Sequence, residues 1–257
     1  MRLAGRHALV TGGGTGIGAA IATALAAECA LLTLLGRRAS PLEKAAEAIR
    51  SSRAQAVAVA ADVTNPDQVA AALAQARAAH GPVDILVNNA GAAESAPFAK
   101  LTPEQWRRAM AVNLDALFLV TQAALPDLLA SEAGRVVTVA STAGLKGYAY
   151  TAPYVAAKHG AIGLTRALAA EFARTSLTVN AVCPGFTDTD IVARSVQTIT
   201  AKTGRSAEEA RADLARFNPQ GRLIDPQEVA EAVVWLCLPS SRSVTGQAIA
   251  VAGGEVT

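Results

Sequence analysis

Residues 7–28 read HALVTGGGTGIGAAIATALAAE: a short apolar run, a glycine-rich turn and a longer alanine-rich segment. The apolar run predicts a strand at His7-Thr11, and the segment behind the turn predicts a helix at Ile17-Glu28. Glycine permits backbone angles that are closed to other residues, and the free N–H groups at a helix start attract anions. The stretch therefore predicts a dinucleotide-binding turn, although an ordinary tight turn uses the same residues.

The alternation of short apolar runs with longer amphipathic segments continues along the chain. This pattern is typical of β-α units that feed a parallel sheet covered by helices on both faces. The predicted strands are His7-Thr11, Ala30-Gly36, Gln55-Ala60, Ile85-Asn88, Arg135-Ala140, Leu177-Val182 and Gln247-Val251. The predicted helices are Ile17-Glu28, Pro41-Ser51, Pro66-His80, Pro103-Ser131, Ala152-Thr175 and Pro226-Leu238. We therefore expect a single α/β domain over residues 1–257.

The composition excludes several classes of protein. Of the 257 residues, 51% are hydrophobic and 17% are charged, which excludes a disordered chain. The 23 basic and 21 acidic residues give a net charge of +2, so we expect no nucleic-acid partner. The longest apolar run, residues 24–35, is interrupted by Glu28 and is shorter than the roughly 20 residues that a membrane span needs. We therefore expect a soluble protein without a membrane partner.

The N-terminus and the scattered thiols and imidazoles indicate a cytoplasmic location without a metal site. Polar residues 1–7 stand where a signal peptide would place its apolar segment. The cysteines are odd in number and far apart, which favours neither a disulfide framework nor a metal centre. The histidines are not expected to cluster. The residues concerned are Cys29, Cys183, Cys237, His7, His80 and His159.

One polar segment, Phe186 to Phe217, interrupts the alternation between the last two predicted strands. It is helical in pattern and rich in charged residues. An insertion just beyond the carboxyl end of a strand is where a substrate lid would lie in such a sheet. A solvated helical pair is the alternative interpretation.

Polar residues also follow the third and fourth predicted strands. Asp62-Val63 comes after the third strand and Asn88-Asn89-Ala90-Gly91 after the fourth, so both lie where ligands bind in an open parallel sheet. Asp62 could accept a hydrogen bond from an adenine amino group, and the small Ala90 and Gly91 could let a ribose pack against the backbone. The alternatives are a turn or helix cap for Asp62 and loop hydrogen bonds for the asparagines.

Ser141, Tyr154 and Lys158 form the most informative group. Tyr154 and Lys158 are four residues apart in a helical pattern and so project from one face, while Ser141 ends the preceding strand. A tyrosine pKa near 10 must fall to about 7 for proton transfer at neutral pH, which takes roughly 4 kcal/mol. A nearby ammonium and a positively charged nicotinamide could together supply it.

Several motifs follow one another in a fixed order: Thr11-Gly12-(three residues)-Gly16-Ile17-Gly18, Asn88-Asn89-Ala90-Gly91, Asn113, Ser141, Tyr154-(three residues)-Lys158 and Pro184-Gly185. In order and spacing the chain resembles the classical short-chain dehydrogenase/reductase family over nearly its whole length. The resemblance implies a Rossmann-type, doubly wound domain with a seven-stranded parallel sheet. It also implies hydride transfer between a nicotinamide cofactor and a carbonyl or alcohol.

The resemblance implies a role for each residue of the catalytic set. Tyr154 would be the general acid/base, and Ser141 would hold the substrate oxygen. Lys158 would lower the pKa of the tyrosine and bind the nicotinamide ribose. Asn113 would position a water that relays protons. These roles agree with the chemistry, because hydride addition creates an alkoxide that must be hydrogen-bonded and protonated.

The cofactor would be held by residues from the strand ends and the turn behind the first strand. The predicted set is Gly12, Gly14, Thr15, Gly16, Ile17, Gly18, Arg37, Arg38, Asp62, Val63, Asn89, Ala90, Gly91, Tyr154, Lys158, Pro184, Gly185, Thr187 and Thr189. An NAD site commonly places an acidic residue at the end of the second strand, where this chain has Gly36-Arg37-Arg38. NADP(H) is therefore favoured over NAD(H), because the Arg37 guanidinium can bind a 2′-phosphate bidentately. Solvation of both arginines is the alternative.

Residues 140–190 are similar to ketoreductases that act on acyl thioesters or polyketide chains. We therefore expect an NADP-dependent oxidoreductase of a 3-oxoacyl thioester or related ketone, or of the corresponding alcohol. One alternative is an NAD-dependent dehydrogenase of a small secondary alcohol or hydroxyacyl-CoA. Another is a cofactor-sensing module without turnover, against which the complete catalytic set argues. By resemblance to the family, the protein is expected to be a homotetramer.

Overall fold

A computed structural model describes residues 2–28 and 30–256 and shows one parallel sheet of seven strands. Its order is β3-β2-β1-β4-β5-β6-β7. Strands β2 and β3 are therefore added on one side of β1, and strands β4 to β7 on the other side. The strands are β1 His7–Thr11, β2 Leu31–Gly36, β3 Ala56–Ala60, β4 Ile85–Asn88, β5 Arg135–Val139, β6 Thr178–Pro184 and β7 Ala248–Val251. The predicted Rossmann-type, doubly wound fold is confirmed, and ligands in such a sheet bind at the carboxyl ends of the strands where the order changes sides, between β1 and β4.

The helices connect successive strands and cover both faces of the sheet. They are α1 Gly16–Ala27, α2 Ala39–Ser51, α3 Pro66–His80, α4 Pro103–Met110, α5 Ala116–Ala130, α6 Ala152–Glu171, α7 Asp190–Thr203, α8 Ala207–Ala215 and α9 Pro226–Cys237. Prolines begin α3, α4 and α9, as predicted, because the first helical position needs no N–H donor. The segment from residue 186 is helical in α7 and α8, and its closure as a lid stays a prediction.

Alternating residues of the central strand divide the core into two layers. Ala8 and Val10 pack with residues of α1, α2 and α9, whereas Leu9 packs with residues of α3 and α5 on the opposite face. All three are fully buried. Burial of a leucine or valine side chain stabilises a fold by about 1.5–3 kcal/mol, so both layers hold the sheet rigid beneath its carboxyl edge.

The helix predicted over residues 103–131 is interrupted by one π-helical turn, Ala111–Asp115. The fully buried Asn113 lies in this turn, and its Nδ2 donates to Ala109 O at 3.0 Å and to Ala92 O at 2.9 Å. Its Oδ1 accepts from Ala92 N at 3.1 Å. The extra residue in the turn thus coincides with a buried amide that bonds both the helix and the loop after β4. The prediction of an uninterrupted helix was wrong at this point.

The same helical stretch, Pro103–Ala130, is long and apolar enough to cross a membrane by length and composition, since an 18-residue window within it has a mean hydropathy of 1.4. The sequence prediction concerned uninterrupted apolar runs, and this stretch is not one, because Asn113, Asp115 and Asp127 lie within it. Passing this test is weak evidence for a membrane span, since a core helix of a folded domain passes it too. Here α5 packs against α3 and β4 in the second core layer.

Two of the histidines also depart from expectation. The rings of His7 and His80 meet edge to face with centroids 5.3 Å apart, at the amino end of β1 and away from the sheet's ligand edge. His7 is buried, and its ring nitrogens bond Gly81 O and Thr33 Oγ1. The prediction that the histidines do not cluster holds for His159 but was wrong for this pair.

Candidate active site

The glycine-rich turn after β1 is held so tightly that two of its glycines cannot be replaced without movement. A Cβ on Gly18 would lie 2.2 Å from Gly12 O, and a Cβ on Gly12 would lie 2.8 Å from Asn89 Nδ2. Gly12 and Gly16 also have φ values of +66° and +54°, in the left-handed region that favours glycine. The turn is therefore a fixed backbone surface beside the loop after β4.

The first turn of α1 is suited to an anion. Its N-cap residue, Thr15, makes no side-chain cap bond, and no acidic residue stands in the first turn. By contrast, Asn65 caps α3 and Asp225 caps α9 through their side chains. Free N–H groups and the positive end of the helix dipole attract phosphate, so this helix start fits the predicted pyrophosphate site.

The loop after β4 is bonded to the glycine-rich turn. Asn89 Nδ2 donates to Thr11 O at 2.9 Å and to Gly12 O at 3.2 Å. Thr11 Oγ1 accepts from the N–H groups of Asn89 and Ala90 at 2.9 and 3.0 Å. The Asn89 amide is thus occupied in holding the turn, so any part it takes in cofactor binding runs through the backbone it fixes.

The ends of β2 and β3 bring a basic pair beside an acid. Gly36 O accepts from Ala61 N at 2.9 Å, which places the exposed Arg37 near Asp62. Hydrogen bonds from Thr64 lower the pKa of the Asp62 carboxyl, and the charge of Arg37 lowers it further. The turn role considered for Asp62 is thus real: its Oδ1 accepts from Thr64 N and Oγ1.

The lysine of the predicted catalytic set lies on α6 beneath the tyrosine. Lys158 is 3% exposed, and its Nζ donates to Val139 O at 2.9 Å and lies 5.6 Å from the Tyr154 ring centroid. Ser141 lies two residues beyond the end of β5, where its hydroxyl is close enough to Tyr154 to lower the pKa of the tyrosine. The structure therefore brings Ser141, Tyr154 and Lys158 together at the carboxyl edge of the sheet.

Burial dominates the electrostatics of this group. It lowers the pKa of Lys158 to about 8, which leaves the amine near its titration point at neutral pH. Burial also raises the pKa of Tyr154, and the hydrogen bond with Ser141 opposes this rise. The lowering of the tyrosine pKa expected from the ammonium together with a positively charged nicotinamide stays a prediction.

Asn113 and Gly91 connect the catalytic group to the cofactor side. A Cβ on Gly91 would lie 2.9 Å from Asn113 Oδ1 and 3.7 Å from Lys158 Nζ. The π-helical turn, the loop after β4 and the lysine therefore meet at one point. A larger residue at Gly91 would push this meeting point apart.

The segment after β6 closes the site on its remaining side. Pro184 ends β6, and Gly185 N donates to Val251 O at 3.0 Å. Thr187 is buried and donates to Gly185 O, while Thr189 is the N-cap residue of α7. A Cβ on Gly16 would lie 3.3 Å from Thr189 Cγ2, so this segment touches the glycine-rich turn.

Sequence reasoning missed a polar group beside Ser141. Tyr148 bonds Thr142 and the carboxylate of Glu255, and Lys146 pairs with the same carboxylate. Glu255 stands 107 residues from Tyr148 along the chain. Neither residue belongs to a periodic pattern or motif, so only the folded structure could bring them together.

Comparison with known proteins places these features in a family context. The sequence profile of the short chain dehydrogenase family matches residues 6–200. A 3-oxoacyl-[acyl-carrier-protein] reductase of Vibrio cholerae is 38% identical over 254 residues, covering 99% of this chain and 98% of that protein. Cis-4-hydroxycyclohexanecarboxylate dehydrogenase of Sinomonas cyclohexanicum is 40% identical over 250 residues, covering 97% and 96%.

A solved structure shows the same arrangement of the whole chain. It is a crystal structure of a variant of actinorhodin polyketide ketoreductase with NADPH. It is 38% identical to this chain, has a TM-score of 0.94 and covers 97% of both chains. At this identity and coverage the likeness extends to the sequence as well as to the fold.

Proposed function

Because this chain belongs to the short chain dehydrogenase family of oxidoreductases, we propose that it transfers a hydride between NADP(H) and a carbonyl or secondary alcohol. The favoured substrate is a 3-oxoacyl thioester or related ketone. The observation that carries the proposal is the packing of Lys158 Nζ against the Tyr154 ring at the sheet edge, next to Gly91 and the loop that bonds the glycine-rich turn before α1. The proposed proton donor and the proposed phosphate-binding helix start would therefore belong to one site.

The protein's own groups would manage the proton and the oxygen. When bound, the nicotinamide cofactor supplies or accepts the hydride. Ser141 and the Tyr154 hydroxyl would hydrogen-bond the reacting oxygen, and Tyr154 would give its proton to the developing alkoxide. Lys158 would hold the nicotinamide ribose and favour the tyrosinate when its own amine is charged. Asn113, buried in its π-helical turn, would fix the water that relays the proton.

The cofactor would lie along the carboxyl edge, with its adenosine end at β2 and β3. The proposed contacts are Gly12, Gly14, Thr15, Gly16, Ile17, Gly18, Arg37, Arg38, Asp62, Val63, Asn89, Ala90, Gly91, Tyr154, Lys158, Pro184, Gly185, Thr187 and Thr189. Two exposed arginines without an acidic residue at the end of β2 support NADP(H) over NAD(H). The ketoreductase solved with NADPH supports the same choice.

A second candidate is an NAD-dependent dehydrogenase of a small secondary alcohol or hydroxyacyl-CoA. The similarity to cis-4-hydroxycyclohexanecarboxylate dehydrogenase favours a cyclic or short-chain alcohol. A screen of ketones, acyl thioesters and alcohols with both cofactors tests both candidates, with nicotinamide absorbance as the readout. We expect NADPH consumption with a 3-oxoacyl thioester; NAD⁺ reduction by a small alcohol alone would favour the second candidate. A complete lack of turnover would favour a cofactor-sensing module.

Two further proposals concern motion and assembly in the cytoplasm. Residues 186–217 would close over the substrate, so cofactor plus substrate should protect them from proteolysis. Equal cleavage with and without ligands would contradict closure.

A homotetramer is supported by the large hydrophobic side chains exposed on helices, Phe118 and Trp235 among them, whose exposed fractions are 49% and 45%. A monomeric mass at micromolar concentration would contradict it.

A further inference from the structure

A buried carboxylate lies next to the proposed substrate site and has no role in the chemistry described so far. The Glu255 side chain is 1% exposed. Its Oε1 accepts a hydrogen bond from the Tyr148 hydroxyl and lies 3.1 Å from Lys146 Nζ. Its Oε2 is buried and has no hydrogen-bond partner among the residues the structure describes. That oxygen would lie 2.9 Å from a Cβ on Gly185, at the exit of β6.

This carboxylate is an expensive group to bury. A buried polar atom without a hydrogen bond costs free energy, and a charged one costs more. Apolar side chains of similar volume often replace buried ion pairs without loss of stability. Packing alone therefore does not account for a glutamate at this position. The groups that its charge holds in place are the remaining explanation.

The hydrogen bonds connect Glu255 through Tyr148 to Thr142, next to Ser141. Tyr148 has a single hydroxyl proton and donates it to Glu255. In the 2.6 Å bond between Thr142 Oγ1 and Tyr148 Oη, Thr142 must therefore be the donor. Thr142 directly follows Ser141, and the segment through Tyr148 leads on to α6, which carries Tyr154.

The ring of Tyr148 is fixed from the side of the polar segment as well. It packs edge to face on Phe186, with centroids 6.0 Å apart, and lies 5.7 Å from the Phe217 ring. Lys146 Nζ lies 5.1 Å from its centroid. Both phenylalanines belong to residues 186–217, so the carboxylate, the connecting segment and the proposed lid meet at one tyrosine.

We propose that Glu255 is a positioning residue: through Tyr148 and Lys146 it fixes the segment 142–151 and so sets Ser141 and Tyr154 relative to each other. This inference rests on the proposed function, because it assigns Glu255 an effect on that reaction. It gives Glu255 no contact with the reacting atoms. Its loss should lower turnover and leave the distant cofactor contacts of the glycine-rich turn intact.

The test compares Glu255→Gln, Tyr148→Phe and the double variant, with Glu132→Gln as an exposed control outside the site. Each test variant should lower kcat about tenfold, the size expected for one lost hydrogen bond to a charged group, with NADPH affinity unchanged. The double variant should lose less kcat than the product of the two single losses, because Tyr148 and Glu255 share one bond while Lys146 keeps its own link to Glu255. The control should stay within twofold of the parent.

Amide hydrogen exchange supplies a readout that does not depend on turnover. Residues 142–151 should exchange about tenfold faster in Glu255→Gln, since a segment that loses a restraint opens more often. Additive losses of kcat, loss of NADPH affinity, or unchanged exchange in this segment would each overturn the inference. An inactive parent with faster exchange in Glu255→Gln would instead sink the proposed function and keep the positioning of the segment. An active parent with variants at full kcat would sink the inference alone.

Discussion

The two sides of the site are held together in different ways. On the cofactor side, the glycine-rich turn and residues 89–91 are joined by backbone contacts and by one asparagine amide. On the substrate side, residues 142–151, 186–217 and Glu255 are joined by side-chain hydrogen bonds, an ion pair and aromatic packing. Backbone geometry tolerates little change, whereas side-chain contacts can be exchanged. The comparison suggests that the cofactor side fixes the reaction class and the substrate side sets specificity.

The largest effect expected is at the tyrosine between the two sides. Tyr154→Phe removes the hydroxyl and keeps the ring, so turnover should fall by a factor on the order of 10² or more. Cofactor affinity should persist, because the glycine-rich turn is unchanged. Steady-state kinetics with a fluorescence titration of NADPH checks both parts, and near-normal turnover would remove Tyr154 from the chemistry.

The next effect tests the rigidity of the cofactor side. Gly18→Ala would place a methyl group 2.2 Å from Gly12 O, so the turn must shift and its cofactor affinity should fall at least tenfold. Overpacking of this kind costs about 1–3 kcal/mol, which thermal unfolding would detect.

Gly163→Ala is the matched control, because a Cβ there meets nothing within 4 Å. Gly163 lies within α6, so this change should stabilise the protein by about 0.5–1 kcal/mol and leave affinity unchanged. If the two alanine variants had the same cofactor affinity and the same stability, the glycine-rich turn would not be rigid, and the contrast with the substrate side would fail.

The backbone of the cofactor side could be predicted from the sequence, because its determinants are local, while its contacts with a cofactor stay predictions. A strand, a glycine-rich turn and a helix follow one another within residues 7–28, and parallel pairing brings the next strand ends alongside. Ser141, Tyr154 and Lys158 were predicted because helix periodicity places the last two on one face. The structure confirms that these residues come together, while their roles stay predictions.

The substrate side could not be predicted, because its contacts join distant parts of the chain. No periodicity connects Glu255 with Tyr148. Away from the site, the contact of His7 with His80 escaped prediction for the same reason, because it depends on how α3 returns to the sheet. The π-helical turn at Asn113 also escaped prediction, since its cause is a bond to Ala92 across a loop.

A third prediction concerns the buried lysine between the two sides. Its folded-state pKa of about 8 lies below the usual 10.5, so carrying its charge into the fold costs about 3 kcal/mol below pH 8. Lys158→Met removes this cost but leaves Val139 O without its donor, a loss of about 1 kcal/mol. The free energy of unfolding should therefore rise by about 2 kcal/mol at pH 7.

The sign of the pH dependence distinguishes this explanation from a packing effect. Between pH 8 and 10.5 the unfolded lysine binds more protons than the folded one, so the parent should gain stability as pH rises through that window. The advantage of Lys158→Met should shrink over the same range, as urea unfolding at several pH values would show. The exposed Lys44→Met serves as the control. A gain that does not change with pH would contradict the explanation.

The smallest effect expected is at the outer end of the cofactor side. Arg37→Ala should lower the ratio of kcat/KM with NADPH to that with NADH about tenfold, the loss of one charge-assisted contact. Arg38→Ala should change this ratio less. If Arg37→Ala leaves kcat/KM with NADPH unchanged, Arg37 does not contact the cofactor and is only a solvent-exposed residue of the loop after β2.

Hydride transfer at the carboxyl edge of the sheet, beside Tyr154, is the central claim, and isotope transfer tests it most directly. NADPH carrying deuterium in both positions at C4 of its nicotinamide would be incubated with the protein and a 3-oxoacyl thioester, and the product analysed by mass spectrometry. The account predicts a hydroxyacyl product with one deuterium on its carbinol carbon, and almost none with Tyr154→Phe at saturating NADPH. A product without deuterium, or equal transfer by Tyr154→Phe, would contradict it.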